Sequence, residues 1–219
     1  ENHQKPSILT ELRVEGDEQY IPAEDGVVLT DTVYMEDFQG FVGQKVTVHG
    51  VLIDKQTGTP IEVGGKAVEA ETSKVLKSAS TSVKQKFTFD ASKLAGKTVV
   101  CYEYVMLDDM TLASHTDLAD EEQTVHFPSV ITRAADKATR DQVGESDGKV
   151  TVIDKVTYTN LQPGKGYTME GTLMDKETGK AVKDNSGDDV YASIEFAASA
   201  SGDGEVEIEF SFIAAPDYP

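Results

Sequence analysis

The sequence predicts an all-β protein: two tandem immunoglobulin-like β-sandwich domains, the second incomplete at its C-terminus. Three observations carry this. Apolar residues alternate with period two through "KVTVHGVLID" (45–54), "SVKQKFTFDAS" (82–92) and "EVEIEFSFIAA" (205–215). No segment keeps an apolar stripe at helical spacing, and "DASKLAG" (90–96) suffices for one turn only. The chain also repeats itself. "HGVLIDKQTGTPIE" (49–62) matches "EGTLMDKETGKAVK" (170–183), and "LTDTVYMEDF" (29–38) matches "VIDKVTYTNL" (152–161). "FTFDAS" (87–92) matches "FSFIAA" (210–215), and "PSILTELRVEGD" (6–17) matches "PSVITRAADKAT" (128–139), all in one order at an offset near 122 residues.

The elements follow in order. The repeat places the domains at 1–127 and 128–219, with the junction at Phe127-Pro128, where a residue without an N–H suits a break between strands. The junction is short, so restricted hinging is expected. "DKQTG" (54–58) and "DKETG" (175–179) read as hairpin turns ending in a glycine that takes the left-handed conformation. "KTVVCYEYVML" (97–107) is a longer apolar run, expected to be a central strand covered on both faces. The first copy continues past "FTFDAS" through that run to "QTVHF", whereas the second stops at Pro219 soon after "FSFIAA". The second sandwich is therefore expected to lack its last one or two strands and to expose sheet edges and part of its core. The opening "ENHQKP" reads as the start of an excerpt from a longer protein.

The bulk numbers remove several functions. The 219 residues carry 39 acidic and 20 basic side chains, a formal net charge of −19. Nucleic acid and anionic lipid both need a basic face, so neither is an expected partner. No apolar run is long enough to span a membrane. The lone Cys101 permits no internal disulfide and reads as a small, inert buried hydrophobe.

"SHTDLADEEQTV" (114–125) packs a His, several carboxylates and a Gln between two strand-like runs. Gln123 opens the last strand of the first copy and Thr10 lies on its first strand, and in a sandwich such strands can be neighbours. A hydroxyl meeting a carboxamide there is set up for acyl transfer: Oγ attacks the amide carbon, ammonia leaves and an ester remains. The hydroxyl needs a base, the oxyanion a donor, the leaving nitrogen a proton, and water must be excluded. His115 can supply the base. A carboxyl held neutral by burial or by a second carboxylate can donate to the Gln oxygen, and Asp120 with Glu103 is the expected pair.

The chain resembles, over nearly its whole length, the ester-bond (VaFE-repeat) domains of Gram-positive surface adhesins, which carry a self-formed Thr–Gln cross-link. The resemblance rests on "TDTV" (30–33), "GVLIDKQTG" (50–58), "FTFDASKLAGKTVVCYE" (87–103) and "HTDLADEEQTV" (115–125), and in the second copy on "DKVTYTNLQPGKGYTMEGTLMDKETGK" (154–180). The family pattern sets a His five residues before an Asp and eight before the bonded Gln, which His115, Asp120 and Gln123 fit; Thr10 in "ILTEL" fits the reactive Thr and Glu103 the acid. "VVCYE" stands in place of the usual "VVFE", and Glu11 follows the Thr where the family often has Thr or Ala, so Thr30 and Thr32 are alternative hydroxyls. Thr132 corresponds to Thr10 in the second copy and is expected to be unbonded, its Gln partner lying beyond Pro219.

The resemblance implies a stalk module, extracellular and cell-wall anchored by a sortase signal elsewhere, and monomeric within a tandem array. A host-surface ligand would be bound by another part of the full protein. Neither cofactor nor metal is called for, and the cross-linking is a single turnover, so no enzyme in the ordinary sense is expected. Three other readings compete. One is a hydrolase with a Thr/Ser–His–Asp triad, though no GxSxG elbow is present. Another is an adhesive sandwich binding ligand or Ca²⁺ through "DNSGDD" (184–189) or "DGEVE" (203–207), neither of which follows an EF-hand loop. The third is a Lys–Asn isopeptide module with Lys155 as donor.

Overall fold

The computed structural model describes residues 5–16, 18–142 and 148–213. The first four residues of "ENHQKP", the last two of "FSFIAA" and Pro219 lie outside them. The chain divides into two compact units, Glu1–Pro128 and Ser129–Pro219. Both are built of strands, with no α-helix among the described residues.

Unit 1 comprises β1 (Ser7–Arg13), β2 (Val27–Glu36), β3 (Lys45–Asp54), the two-residue β4 (Glu62–Val63) and β5 (Lys66–Ala67), β6 (Glu69–Val75) and β7 (Thr81–Phe89). It continues with β8 (Thr98–Leu107), β9 (Met110–His115), a 3-10 turn at Glu121–Gln123 and β10 (Thr124–His126). One sheet has the order β1-β2-β7, and the other β10-β8-β3-β6 with β9 also on β8. β9 and β10 share one edge of β8: β10 covers Thr98–Val100 and β9 begins at Glu103. Between them the chain leaves the sheet, and the 3-10 turn ends at the gap this opens.

Strand alternation gives the core an internal order. One apolar cluster holds Leu12, Leu29, Leu52, Phe87 and Cys101; a second holds Ile8, Val33, Val48, Val83 and Val105. On each of five strands the inward position between these clusters is not a large apolar side chain: Thr10 on β1, Asp31 on β2, Gly50 on β3, Gln85 on β7 and Glu103 on β8. Thr10 is 4 % exposed, Gln85 1 %, Asp31 and Glu103 0 %. A polar layer therefore crosses the sandwich. β8 is central, as its apolar run predicted, but only one face is covered throughout. On the outer face Val100 is buried while Tyr102 and Tyr104 are half-exposed.

Unit 2 comprises β11 (Ser129–Asp136), β12 (Lys149–Thr159), β13 (Gly166–Thr172), β14 (Tyr191–Ala197) and β15 (Gly204–Ile213), paired as β11-β12-β15 and β13-β14. It repeats unit 1 in register. Thr10 opposes Val33 and Thr132 opposes Val156; Asp31 opposes Gln85 and Asp154 opposes Ile208. The two predicted hairpin turns are alike: Gly58 and Gly179 have φ of 69° and 67°, and their N–H groups donate to Asp54 and Asp175 carbonyls at 2.8 and 2.9 Å. Among the described residues unit 2 has no counterpart of β8, β9 or β10, and positions that would lie beneath them are open. Val130 is 52 % exposed where Ile8 is 6 %.

Candidate functional site

The site is the polar layer of unit 1, closed on one side by the segment between β9 and β10. Thr10 is carried inward by the alternation of "SILTELR", flanked by buried Ile8 and Leu12. The two alternative hydroxyls are excluded by the same alternation. Thr30 and Thr32 face outward on β2 and line an open groove with Arg13 and Lys86.

Gln123 is fully buried and is the last residue of the 3-10 turn, one position before the strand that was expected to hold it. Several contacts fix the turn. Asp120 caps it, its Oδ1 accepting from the Glu122 N–H at 2.9 Å, and the Thr124 hydroxyl donates to the Asp120 carbonyl at 2.7 Å. Arg13 on β1 donates to the Glu122 carbonyl at 2.8 Å and pairs with the Glu122 carboxylate. Lys55 reaches Glu121 at 2.8 Å, and Gln19 donates to the Thr124 carbonyl at 2.8 Å. The strand carrying Thr10 thus packs against the turn carrying Gln123.

The Gln123 Nε2 donates to Asp31 Oδ1 at 3.2 Å. Asp31 is the partner acid of Glu103, which corrects the expected pairing of Glu103 with Asp120. One carboxyl oxygen from each of Asp31 and Glu103, and the Cys101 sulfur, lie within 4.8 Å of one another. Burial, and then the bond to Asp31, push Glu103 up to about 10; burial also raises Asp31, opposed by its bonds to Glu103 and Gln123 and by nearby His115. Two carboxyls so close in a dry core hold one proton between them at neutral pH.

Asp120 has a different task. Its Oδ2 meets His115 Nε2 at 2.6 Å at the rim, where the two side chains are 23 % and 20 % exposed. His115 lies directly across from Glu103 in the β8–β9 ladder, and β1 packs beside β9. The imidazole is thus oriented by one carboxylate and set next to the acid pair.

Gly50 and Gln85 complete the layer. A Cβ at Gly50 would lie 2.2 Å from Glu103 Oε1 and 2.7 Å from Phe87 Cζ, so only glycine leaves room for the carboxyl. The Gln85 Nε2 donates to Glu103 Oε2 at 2.8 Å. Cys101 is fully buried, with its Sγ 3.1 Å from Glu103 Oε1; burial, then Glu103, push its thiol well up, so it stays protonated. Thr10 Oγ1, Gln123 Oε1 and Gln85 Oε1 are buried without a hydrogen-bond partner. Orphaned buried polar atoms are costly, so a core holding these three together with Asp31 Oδ2 in one layer is set up for something besides stability.

Sequence reasoning missed Asp31, Gln85 and Gly50. Asp31 lies in the "TDTV" match, between the two alternative hydroxyls Thr30 and Thr32. The missed signal was its inward parity: Asp31 alternates with Leu29 and Val33, and Gln85 with Val83 and Phe87.

The competing sites fare differently. Lys155 is exposed on the outer face of β12 and pairs with Glu205 at 2.7 Å, so it faces no core amide. In "DNSGDD" the Asp184 carboxylate closes its own turn on the Ser186 and Asp188 N–H groups at 2.8 and 3.0 Å, and Asp189 pairs with Lys183.

Fold and site define an all-β sandwich module whose core carries a hydroxyl, a carboxamide and a proton-sharing acid pair. The family described as the T-Q ester bond containing domain matches residues 6–127 and again 128–217, and the chain belongs to that family. Among solved structures, a bacterial adhesin from Mobiluncus mulieris containing intramolecular disulfide, isopeptide and ester bond cross-links aligns over 96 % of this chain and 99 % of its own, at 11 % identity and a TM-score of 0.48. A DUF4466 family protein from Parabacteroides merdae aligns over 96 % and 100 %, at 8 % identity and a TM-score of 0.35. No curated protein matches the chain. No helix among the described residues is long and apolar enough to cross a membrane.

Proposed function

We propose that unit 1 closes itself with an ester between Thr10 and Gln123, releasing ammonia, and that the chain is a stalk segment of an extracellular, cell-wall-anchored adhesin. The observation that carries this reading is the buried pairing of Gln123 with the Asp31–Glu103 acids beside the strand that holds a buried, unpartnered Thr10 hydroxyl.

The contacts of His115 with Asp120 and of Gln123 with Asp31 support the following chemistry. His115, held by Asp120, takes the Thr10 proton as Oγ attacks the Gln123 Cδ. The Oγ–Cδ bond forms, and the Cδ–Nε2 bond breaks as Nε2 takes a proton from the acid it already touches, Asp31, which draws it from Glu103. Ammonia departs, His115 is left protonated and the pair one proton short. Exchange with solvent at the half-open rim restores both. The apolar clusters on either side of the layer keep water from the ester. The event happens once per molecule, so the module is not an enzyme in the ordinary sense.

The ester ties the first strand of the unit to its last segment. Tension entering at β1 and leaving after β10 then passes through a covalent bond, and the residues between cannot extend. Such a module would serve as a monomeric link in a tandem array, while another part of the protein engages the host ligand. Intact-protein mass spectrometry tests the reading: the mass is expected to fall short of the sequence mass by one ammonia, with the modification on a peptide joining Thr10 to Gln123. A full sequence mass, or a cross-link elsewhere, refutes it.

A further inference from the structure

Gln85 is a buried polar side chain that the chemistry above leaves unused. It is 1 % exposed and lies directly opposite Asp31 in the β2–β7 ladder, while Glu103 reaches it from the other sheet. Its single polar contact among the described residues is Nε2 to Glu103 Oε2 at 2.8 Å, and its Oε1 is an orphan. A carboxamide with one of its four hydrogen-bonding positions met is a poor choice for filling a core. The fold itself accepts an apolar residue there. In unit 2 the register equivalent is Ile208, 2 % exposed and opposite Asp154.

We propose that Gln85 is a positioning residue for the cross-linking reaction: its amide N–H holds the Glu103 carboxyl against Asp31 and stabilises the carboxylate left on Glu103 when the shared proton departs with ammonia. The inference rests on the Thr10–Gln123 reading and names the group that makes its proton transfer feasible. In a dry core the charge left on Glu103 has few donors to receive it. The groups facing Glu103 are Asp31 from β2, the Cys101 thiol on its own strand, His115 across the β8–β9 ladder and Gln85 from β7; Gly50 on β3 presents only backbone. Asp31 carries charge of the same sign, the thiol is a weak donor, and His115 is engaged with Asp120. Gln85 is the neutral N–H donor aimed at the carboxyl, and its bond opposes the rise that burial imposes on Glu103.

The test compares wild type, Gln85→Met and Gln85→Asn, each made in a cell-free system and followed by intact mass over time. Gln85→Met keeps length and removes the donor; Gln85→Asn keeps the amide and draws it back by one methylene. Loss of ammonia is expected to slow about tenfold to a hundredfold in Gln85→Met and less in Gln85→Asn, the usual range for a hydrogen bond to a charged group. The second readout is the infrared carbonyl band of the protonated carboxyl, measured in a Thr10→Ala background and assigned by its loss in Glu103→Gln. It should move to higher frequency when Gln85 is replaced by Met, because the donor to that carboxyl is gone. Wild-type rates in both variants overturn the proposal, as does a slowed rate with an unmoved band, which marks a packing role only. If Gln85→Met does not fold, Gln85→Asn decides by the same two readouts. A wild type that never loses ammonia refutes the cross-link itself, whereas wild-type formation with indifferent variants refutes only the role of Gln85.

Discussion

The strands described in unit 2 repeat β1, β2, β3, β6 and β7 of unit 1 in register, yet the level between the apolar positions is filled differently. In unit 1 the layer between the apolar clusters is Thr10, Asp31, Gln85 and Glu103, closed by Gln123. In unit 2 the equivalents of the first three are an exposed Thr132, a half-buried Asp154 and a buried Ile208 that belongs to the apolar cluster itself. Asp154 is raised by burial but meets no second carboxyl among the groups that shift it. One acid on β12 is thus not a site. The polar layer of unit 1 is assembled by the strand that brings Glu103, the turn that brings Gln123, and Gln85 where unit 2 has Ile208.

This contrast can be broken most forcefully by removing the proposed tie. Thr10→Ala and Gln123→Ala should each abolish the ammonia loss. Each should also lower the stability of unit 1 by about 4–5 kcal/mol, the entropy of releasing a loop of roughly a hundred residues, while leaving the melting of unit 2 in place. Calorimetry with mass spectrometry checks both parts. His115→Ala should fold normally but form the ester about a hundredfold to ten-thousandfold more slowly, the usual contribution of a positioned base.

Matched glycines sharpen the comparison. A Cβ at Gly171 would lie 2.7 Å from Phe210 Cζ, as one at Gly50 would from Phe87, but only Gly50 also abuts a carboxyl. Gly50→Ala and Gly171→Ala should each destabilise by about 1–3 kcal/mol through overpacking. Only Gly50→Ala should also impair ester formation, read as residual unmodified mass.

A weaker effect is the dependence on pH. Glu103 is raised to about 10 in the fold and falls to about 4.3 when unfolded, so between those values the folded unit holds a proton that the unfolded chain releases. Its contribution to stability is full below the lower value and is lost as pH rises through the upper one. Denaturant titrations of Thr10→Ala should show unit 1 weakening with rising pH, by at most about 1.4 kcal/mol per unit for that proton. Asp154 gives unit 2 a shallower slope of the same sign. Thr132→Ala should do least: no change in the ammonia loss, and a stability change within about 0.5 kcal/mol.

Much of this was legible in the chain because alternation and repetition are local. Period-two patterning assigned β3, β7 and β15, the repeat aligned the two units, and "DKQTG" and "DKETG" gave the same turn twice. The family resemblance could point to His115, Asp120 and Gln123 for a similar reason, since all three lie within one connection. The sequence by itself therefore determined the strands, the tandem order and the face each side chain takes.

Which acids share a proton was decided only by the tertiary structure. Asp120 lies close to His115 along the chain and is drawn to it at the rim, whereas Asp31 and Glu103 sit on different sheets and meet only when the sandwich closes. Parity along a strand tells which side chains point inward, but not which inward residues from facing sheets share a level. That level is fixed by how the sheets pack, and the same packing withdraws the water that would otherwise let both carboxyls ionise.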